Sequence, residues 1–347
     1  MSARLLLLPL TLCSYLFGAM CAVRTLLYDR GILRSREVPC AVITVGNITV
    51  GGTGKTPTVI LLARCLQQQG LRVAVLTRGY RGTKTGVPQV VSDGRTLHAQ
   101  SHEVGDEAFM MAEKLPGIPV LAGKDRVAAA VTAQKRFHTR ICILDDGFQH
   151  RRLKRNLDIV LINSTNPFGN GFLLPRGILR EPLSSLKRAQ VILLTKTVES
   201  GADITRVETA LSHYNPQAAL FRASYRISAL RNVRTGEVVA PDILETGELA
   251  ALCSIGDPES FFSMLEAMGA RGIRRLVFPD HHSYSEKDYD YINQSCTKIN
   301  FLITTEKDIA KIDITMLKIF KLFVLEIEQK VENEHMFVQQ VKKLAGT

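Results

Sequence analysis

Short, almost continuously apolar runs recur along the chain and alternate with stretches in which apolar residues have helical spacing. A strand that is buried on both faces of a parallel sheet has this continuous apolar character. Strands that alternate with helices favour a mainly parallel sheet, so we expect an α/β fold. In the first half of the chain the runs that predict strands begin at Val38, Val73, Pro119, Ile141, Leu157 and Val191.

The second half of the chain begins with a different pattern of apolar and polar residues. Residues 219–239 alternate between apolar and polar and contain Arg234-Thr235-Gly236-Glu237, which predicts a hairpin or β-ribbon linker. Strand and helix patterns resume near residue 250, which predicts a second, smaller α/β lobe. The domain boundaries that we predict are an N-terminal segment at 1–36, a larger α/β core at 37–217, a β-ribbon linker at 218–247 and a smaller α/β domain at 248–347.

The N-terminus carries the longest apolar run. Leu5 to Val23 contains no charged residue, and as a helix it would be about 28 Å long, close to the thickness of a bilayer core. A spanning helix, a helix inserted in one leaflet, a cleaved signal peptide and a buried core helix all remain open; no clean small-x-small cleavage site follows the run. The arginines that follow it favour a cytoplasmic location for the rest of the chain; they are Arg24, Arg30, Arg34 and Arg36.

The stretch Gly46–Thr56 joins the first predicted strand to a helix predicted over residues 58–69. A strand, a glycine-rich turn and a helix that begins near Gly-Lys-Thr form a phosphate-binding P-loop. Lys55 would reach the β- and γ-phosphates, and the Thr56 hydroxyl would bind Mg²⁺. Thr49 stands where the general pattern has a glycine. The nucleotide-binding residues that we predict are Thr49, Val50, Gly51, Gly52, Thr53, Gly54, Lys55 and Thr56.

Two further features suit an anionic ligand. The apolar strand that begins at Ile141 ends in Asp145 and Asp146, a Walker-B pattern that predicts carboxylates for Mg²⁺ at the sheet edge. Arg78 and Arg81 follow the strand that begins at Val73, and Arg176 lies in a long glycine-rich loop. These arginines are candidate substrate contacts, although solvated loop arginines are an equally good interpretation for Arg78 and Arg81.

The amino-acid composition indicates which classes of binding partner suit this protein. The net charge of +11 favours an anionic partner such as a phosphorylated substrate, an acidic membrane surface or nucleic acid. Nucleic acid is disfavoured, because tryptophan is absent, aromatic residues make up only 6% and no zinc spacing is present. The seven cysteines are scattered and form no Cys-x-x-Cys, which indicates reduced thiols in a cytosolic protein.

Taken together, the motifs resemble the tetraacyldisaccharide 4′-kinase family, the lipid A 4′-kinases of Gram-negative bacteria, over nearly the whole chain. Thr49 is usual in that family. The resemblance is carried by Val-Gly-Asn-Ile-Thr-Val-Gly-Gly-Thr-Gly-Lys-Thr-Pro at 45–57, Gly-Asp-Glu at 105–107, Leu-Asp-Asp-Gly-Phe-Gln-His at 144–150, Leu-Leu-Pro-Arg-Gly at 173–177, Leu-Arg-Glu-Pro at 179–182 and Asp-His-His-Ser-Tyr at 280–284.

The resemblance implies phosphorylation by ATP and Mg²⁺ of the 4′-hydroxyl of a lipid-linked disaccharide monophosphate. The reaction would take place at the cytoplasmic face of the inner membrane, with no obligate protein partner. By family similarity Asp106 is the general base and His281 its partner. The residues alone favour a simpler role for Asp106, in which an acidic pair at a helix start complements the helix dipole.

Other P-loop classes fit less well. A membrane-associated switch ATPase is the main alternative, but Val50 stands where that class has a signature lysine. A GTPase needs an aspartate after Thr195-Lys196-Thr197, where this chain has Val198. The sequence leaves open the acyl-chain number, the residues that recognise the sugar, the depth of the N-terminal helix and the oligomeric state.

Overall fold

The computed structural model describes residues 3–79, 87–197, 204–240, 244, 248–280, 282–319 and 321–346. The chain divides into two compact units, one formed by Met1–Ser224 with Gln329–Thr347 and the other by Tyr225–Glu328. The sequence-based boundaries instead assign everything from residue 248 onward to the second domain. Residues 329–347 therefore belong to the first unit in the structure and to the second domain in the prediction.

The first unit contains a sheet that is parallel except at one edge. Its strands are β1 (Ala41–Asn47), β2 (Val73–Thr77), β3 (Gln89–Ser92), β4 (Val120–Ala122), β5 (Ile141–Asp145), β6 (Leu157–Asn163), β7 (Val191–Thr195) and the beginning of β8 (Ala219–Asn232). Their order is β8-β7-β6-β1-β5-β2-β4-β3, and only the edge strand β3 runs antiparallel to its neighbour. The predicted mainly parallel α/β fold is therefore confirmed.

Helices cover this sheet because its strands are apolar on both faces. The helices are α1 (Ala3–Asp29), α2 (Lys55–Gln68), α3 (Ser101–Val104), α4 (Asp106–Lys114), α5 (Arg126–Phe137), a 3-10 helix at Leu183–Arg188 and α6 (Ile204–Tyr214). In β1, Ile43 and Val45 belong to the core on the α2 side, whereas Val42 belongs to the core on the α5 side. Burial on both faces is what the continuous apolar runs predict.

The second unit has a smaller parallel sheet in the order β11-β10-β12-β13. A short strand, β9 (Val238–Val239), pairs antiparallel with β8 at Leu230 and Arg231, so the predicted hairpin is present. The strands and helices of this unit are β10 (Leu249–Cys253), α7 (Pro258–Ala267), β11 (Arg274–Val277), α8 (Glu286–Ser295), β12 (Phe301–Thr305), α9 (Glu306–Ile309) and β13 (Leu322–Val331), which leads back to the first unit.

The last helix, α10 (Glu334–Ala345), packs in the first unit. Phe337 and Val341 are fully buried in the same core cluster as Ile43 of β1. The ring of Phe337 meets the ring of Phe221 edge to face, with 5.3 Å between centroids. The helix belongs there because its apolar face packs against β1, β6 and α2, a long-range contact that local sequence patterns do not indicate.

Helix α1 differs from the other helices because it is largely exposed. Its segment Leu8–Asp29 is long and apolar enough to cross a membrane by length and composition, and little of it is buried. Leu12, Tyr15 and Met20 are each more than 60% exposed. This exposure disfavours the interpretation of the N-terminal run as a buried core helix.

We expect Phe337→Ala to destabilise the first unit by about 3–5 kcal/mol, because the substitution leaves a cavity in its core. Hydrogen exchange should show lost protection in β1 while β10 keeps its protection. The control Met336→Ala changes a 62% exposed side chain on the same helix and should cost less than about 0.5 kcal/mol. Lost protection in β10 with an intact β1 would contradict the placement of α10.

Candidate functional site

The P-loop leaves the central strand of the first unit at its carboxyl end. Strand β1 lies between β5 and β6 and is parallel to both. Gly51 and Gly54 have φ values of 103° and 84°, a left-handed backbone region that favours glycine. A Cβ atom added at Gly51 or Gly52 would meet nothing within 4 Å, so the outer side of the loop is open for a phosphate to approach the backbone.

Hydrogen bonds hold the loop from its inner side. The Asn47 side-chain amide donates to Thr53 Oγ1 at 2.9 Å, and Thr195 Oγ1 donates to the Thr53 carbonyl at 3.0 Å. Thr58 Oγ1 donates to the Gly54 carbonyl at 2.8 Å. These contacts come from β1, β7 and α2, so the loop conformation is set before any ligand binds, which lowers the cost of binding.

Asp146 lies beside the P-loop lysine. Lys55 Nζ is 3.6 Å from Asp146 Oδ1, and Arg180 Nη1 donates to both carboxylate oxygens at 3.0 and 2.9 Å. Burial acts to raise the pKa of Asp146, but the charges of Lys55 and Arg180 outweigh it, and its pKa lies below the usual value. Asp146 is therefore ionised at neutral pH and balanced by two cations.

The neighbouring Asp145 is in a different environment. Its side chain is only 4% exposed and accepts a long hydrogen bond from Thr77 Oγ1 at 3.4 Å. Burial, together with the negative charges of Glu107 and Asp146, raises its pKa to about 7. Among the described residues Asp145 Oδ1 is buried without a hydrogen-bond partner, which is costly unless a cation binds there.

These carboxylates fit a magnesium ion that is shared with a nucleotide. Thr56 is the second residue of α2 and is 5% exposed, and it supplies the hydroxyl expected beside the acidic pair. Among the described residues no group of three or more histidine, cysteine or acidic side chains could hold a metal by itself. Mg²⁺ commonly uses one or two carboxylates and completes its shell with waters and phosphate oxygens, so this donor set is sufficient.

Arg126 is a site residue that the sequence analysis missed. Arg126 opens α5 and is 4% exposed; its guanidinium donates to the Gly123 carbonyl at 2.5 Å. Burial lowers its pKa to about 10, the charge of Asp145 opposes that shift, and the charge of Arg78 adds to it. An arginine in the first turn opposes the helix dipole, and this is the sequence signal that could have identified it.

Asp106 begins α4 immediately after Gly105, whose φ is 90°. Ser101 Oγ donates to Asp106 Oδ1 at 2.6 Å and fixes the carboxylate. Gly79, next to Arg78, lies so close to this region that an added Cβ would be 3.0 Å from the Val104 carbonyl oxygen. The structure therefore brings Arg78 and Asp106 to the carboxyl edge of the sheet.

The remaining predicted site residues are Arg81, Arg176 and His281. Arg81 and His281 lie outside the described residues. Arg176 is close to the N-terminal helix: its Nη1 donates to Thr11 Oγ1 at 2.9 Å, and its guanidinium lies 3.5 Å from the centroid of the Phe172 ring.

In the second unit, the described histidine of the Asp-His-His-Ser-Tyr motif already has partners. His282 Nε2 is 3.1 Å from Asp288 Oδ2, and its ring stacks on Phe278 with 4.9 Å between centroids. Asp288 also caps α8 together with Ser285. His282 thus fixes the chain at the start of α8.

We expect Asp145→Asn to stabilise the protein in metal-free buffer with EDTA. In the unfolded chain this carboxyl ionises near pH 4, so its raised native pKa costs stability that grows between pH 4 and about 7 and is constant above. The gain should be of the order of 1–4 kcal/mol at pH 8 and vanish near pH 4. Chemical denaturation at both pH values measures it.

The control for this prediction is Asp29→Asn. Asp29 forms an exposed ion pair with Arg151 at 2.7 Å, so its substitution should change stability by less than about 1 kcal/mol at either pH. A stabilisation by Asp145→Asn that is equal at pH 4 and pH 8 would show that the carboxyl has the same pKa in the folded protein as in the unfolded chain, contrary to its buried environment.

Comparison with known proteins is consistent with this site. The family model described as "Tetraacyldisaccharide-1-P 4'-kinase" matches residues 3–345. The tetraacyldisaccharide 4′-kinase of Halothermothrix orenii is 39% identical over 98% of this chain and 93% of its own length. The enzyme of the same name from Syntrophus aciditrophicus is 40% identical over 91% of this chain and 88% of its own.

A solved structure agrees over the full length. The crystal structure of LpxK from Aquifex aeolicus in complex with ATP has a TM-score of 0.77 to this chain and 32% sequence identity, and the match covers 99% of each chain. The family resemblance inferred from the motifs is thereby confirmed. The chain belongs to the tetraacyldisaccharide-1-phosphate 4′-kinase family.

Proposed function

We propose that this protein transfers the γ-phosphoryl group of ATP to the 4′-hydroxyl of a tetraacyldisaccharide 1-phosphate, a step in lipid A biosynthesis. The observation that carries this proposal is the arrangement of Lys55, Asp145 and Asp146 at the sheet edge beside an open P-loop. In a member of this family, that arrangement fits a site for a nucleoside triphosphate and its metal.

The P-loop binds the phosphates of ATP through its backbone. The N–H groups of residues 51–56, at the start of α2, would face the phosphate oxygens, and the helix dipole favours their negative charge. Lys55, which contacts Asp146 at 3.6 Å, is close enough to exchange this partner for a β- or γ-phosphate oxygen. Its positive charge then stabilises the charge on the phosphoryl group during transfer.

Thr56, Asp145 and Asp146 would hold Mg²⁺. When bound, the ion supplies charge neutralisation between the β- and γ-phosphates. The unpartnered buried Oδ1 of Asp145 supports this assignment, because a cation would satisfy an oxygen that otherwise has no partner among the described residues. Binding of a cation would also favour the ionised form of a carboxyl whose pKa is raised to about 7.

Asp106 is the general base in this proposal. It would accept the proton of the sugar hydroxyl as that oxygen attacks the γ-phosphorus. The hydrogen bond from Ser101 orients the carboxylate of Asp106, which a general base needs in order to meet the acceptor hydroxyl. The family resemblance adds His281 as the partner that orients or polarises this base.

The substrate would reach the site from the membrane. Arg78 lies near Arg126, and Arg176 lies beside α1; with Arg81 they are the candidate contacts for the sugar and its phosphate. The exposed apolar residues of α1 suit the hydrocarbon of a bilayer. We therefore place the enzyme at the cytoplasmic face of the inner membrane, anchored by α1.

A membrane-associated switch ATPase remains the alternative class. It would use the same P-loop and acidic pair but would have no need for a base at Asp106. The position of Val50, where that class has a lysine, counts against it. Activity of variants at Asp106 therefore separates the two functions.

We expect Asp106→Ala to lower the kcat for lipid phosphorylation by about 10²–10⁴, the usual contribution of a general base. ATP affinity should be nearly unchanged, because the carboxylate acts on the acceptor hydroxyl. Phosphate transfer to the lipid and equilibrium ATP binding are measured on the same preparation. The matched control is Glu113→Ala, which removes an exposed carboxylate from the same helix and should leave both values unaltered. Near-native turnover by Asp106→Ala would remove Asp106 from the mechanism.

A further inference from the structure

One face of α1 contacts residues 173–180, which we call the bridging segment, and the C-terminal part of the helix also contacts Gln149 and Arg151. Ser14 Oγ donates to the Leu173 carbonyl at 2.8 Å, and Thr11 Oγ1 accepts from Arg176 at 2.9 Å. Two further contacts with this segment come from Gly18, where an added Cβ would be 2.9 Å from Leu173 Cδ1, and from Cys21, whose Sγ donates to the Arg180 carbonyl at 3.7 Å.

These four residues share one face of the helix. Thr11, Ser14, Gly18 and Cys21 follow one another at spacings of three and four, so they form a line along α1 that we call the docked face. Each is small, which lets the helix approach the bridging segment closely. The large apolar residues point elsewhere and are exposed; they include Leu8, Leu12, Tyr15, Leu16, Met20 and Val23.

The bridging segment also contacts the P-loop. The Val50 amide donates to the Ile178 carbonyl at 2.8 Å, and the Arg180 amide donates to the Ile48 carbonyl at 2.7 Å. Thr49 and Leu179 form an antiparallel bridge between these two hydrogen bonds. The segment therefore runs beside the first residues of the P-loop as an extra strand.

Arg180 connects the two sets of contacts. Its carbonyl accepts the hydrogen bond from Cys21 of α1, and its guanidinium holds Asp146 at 2.9 Å. Its neighbour Leu179 is 2% exposed and packs in a core cluster with Ile48 and Phe148. A shift of α1 cannot be absorbed freely here, because the segment is bonded on one side and tightly packed on the other.

We infer that α1 positions the nucleotide site: its docked face fixes the bridging segment, which in turn fixes the P-loop backbone at Thr49 and Val50 and the guanidinium of Arg180 on Asp146. The helix is then more than an anchor, because its exposed side serves the membrane while its docked face serves ATP binding. This inference rests on the proposed function in taking ATP as the ligand.

A coupling of this kind is reciprocal. If the docked helix favours ATP binding, then ATP binding favours the docked helix by the same factor. Cys21 offers a direct readout, because its thiol contacts the bridging segment when α1 is docked. In the wild-type protein, ATP should therefore slow the alkylation of Cys21 by a maleimide.

The test compares Gly18→Leu with Ala19→Leu in the full-length, detergent-solubilised protein. Both variants add the same side chain to α1, but position 18 faces Leu173 and position 19 is exposed. We expect Gly18→Leu to raise the Kd for ATP at least about 5-fold and to speed alkylation of Cys21. Ala19→Leu should change neither. Mass spectrometry of the Cys21 peptide gives the alkylation rate, and titration with ATP gives Kd.

A second displacement, Ser14→Leu, removes the hydrogen bond to Leu173 and adds bulk at a residue that is 3% exposed. Faster alkylation of Cys21 in either Leu variant with an unchanged Kd for ATP would overturn the inference, as would unchanged alkylation in both. Equal effects of Ala19→Leu and Gly18→Leu would also overturn it. A wild-type protein that binds no ATP would instead contradict the proposed function.

Discussion

Two adjacent carboxylates stand at the end of β5, and the site is arranged around their charge. Asp145 is nearly inaccessible, with a pKa raised to about 7, whereas Asp146 is held ionised by Lys55 and Arg180. A buried negative charge is costly unless a positive charge lies near it. The segments around the two carboxylates supply positively charged side chains. The arginine of α5, Arg126, adds a further buried positive charge. When a metal and a nucleotide bind, these charged side chains would exchange some of their present partners for the ligands.

The parallel sheet explains why these groups meet. Strands β1 and β5 are neighbours, so the P-loop after β1 and the acidic pair after β5 leave the sheet at the same edge. Strand β2 delivers Arg78 to that edge, and Thr77 at its end contacts Asp145. The bridging segment extends the same edge beside the P-loop. This segment connects the N-terminal helix, which suits a membrane, to the residues that we expect to bind phosphate.

The site residues that the sequence predicted lie in continuous sequence motifs. A strand, a glycine-rich turn and Gly54-Lys55-Thr56 indicate a P-loop without knowledge of the rest of the chain. Asp145 and Asp146 could be assigned because an apolar strand precedes them. Their different protonation could not be assigned, because it depends on burial and on Glu107, which comes from a separate segment.

Sequence analysis did not identify the residues that long-range packing brings to the site. The charge of Arg126 opposes the dipole of its helix, but the sequence does not show that Asp145 lies near it. Arg180 looks like a loop arginine until its contact with Asp146 is seen. Helix α10 was assigned to the second domain because chain order was the only guide, whereas it packs on the first sheet. The roles of Arg81 and His281 stay predictions that rest on motif and family resemblance.

The most direct test of the account is transfer of label from γ-labelled ATP to tetraacyldisaccharide 1-phosphate by the purified, membrane-extracted protein. The account predicts one labelled phosphate on the 4′-oxygen of the lipid for each ADP formed. Release of ADP and free labelled phosphate, with no label on the lipid, would contradict it and identify the protein as an ATPase.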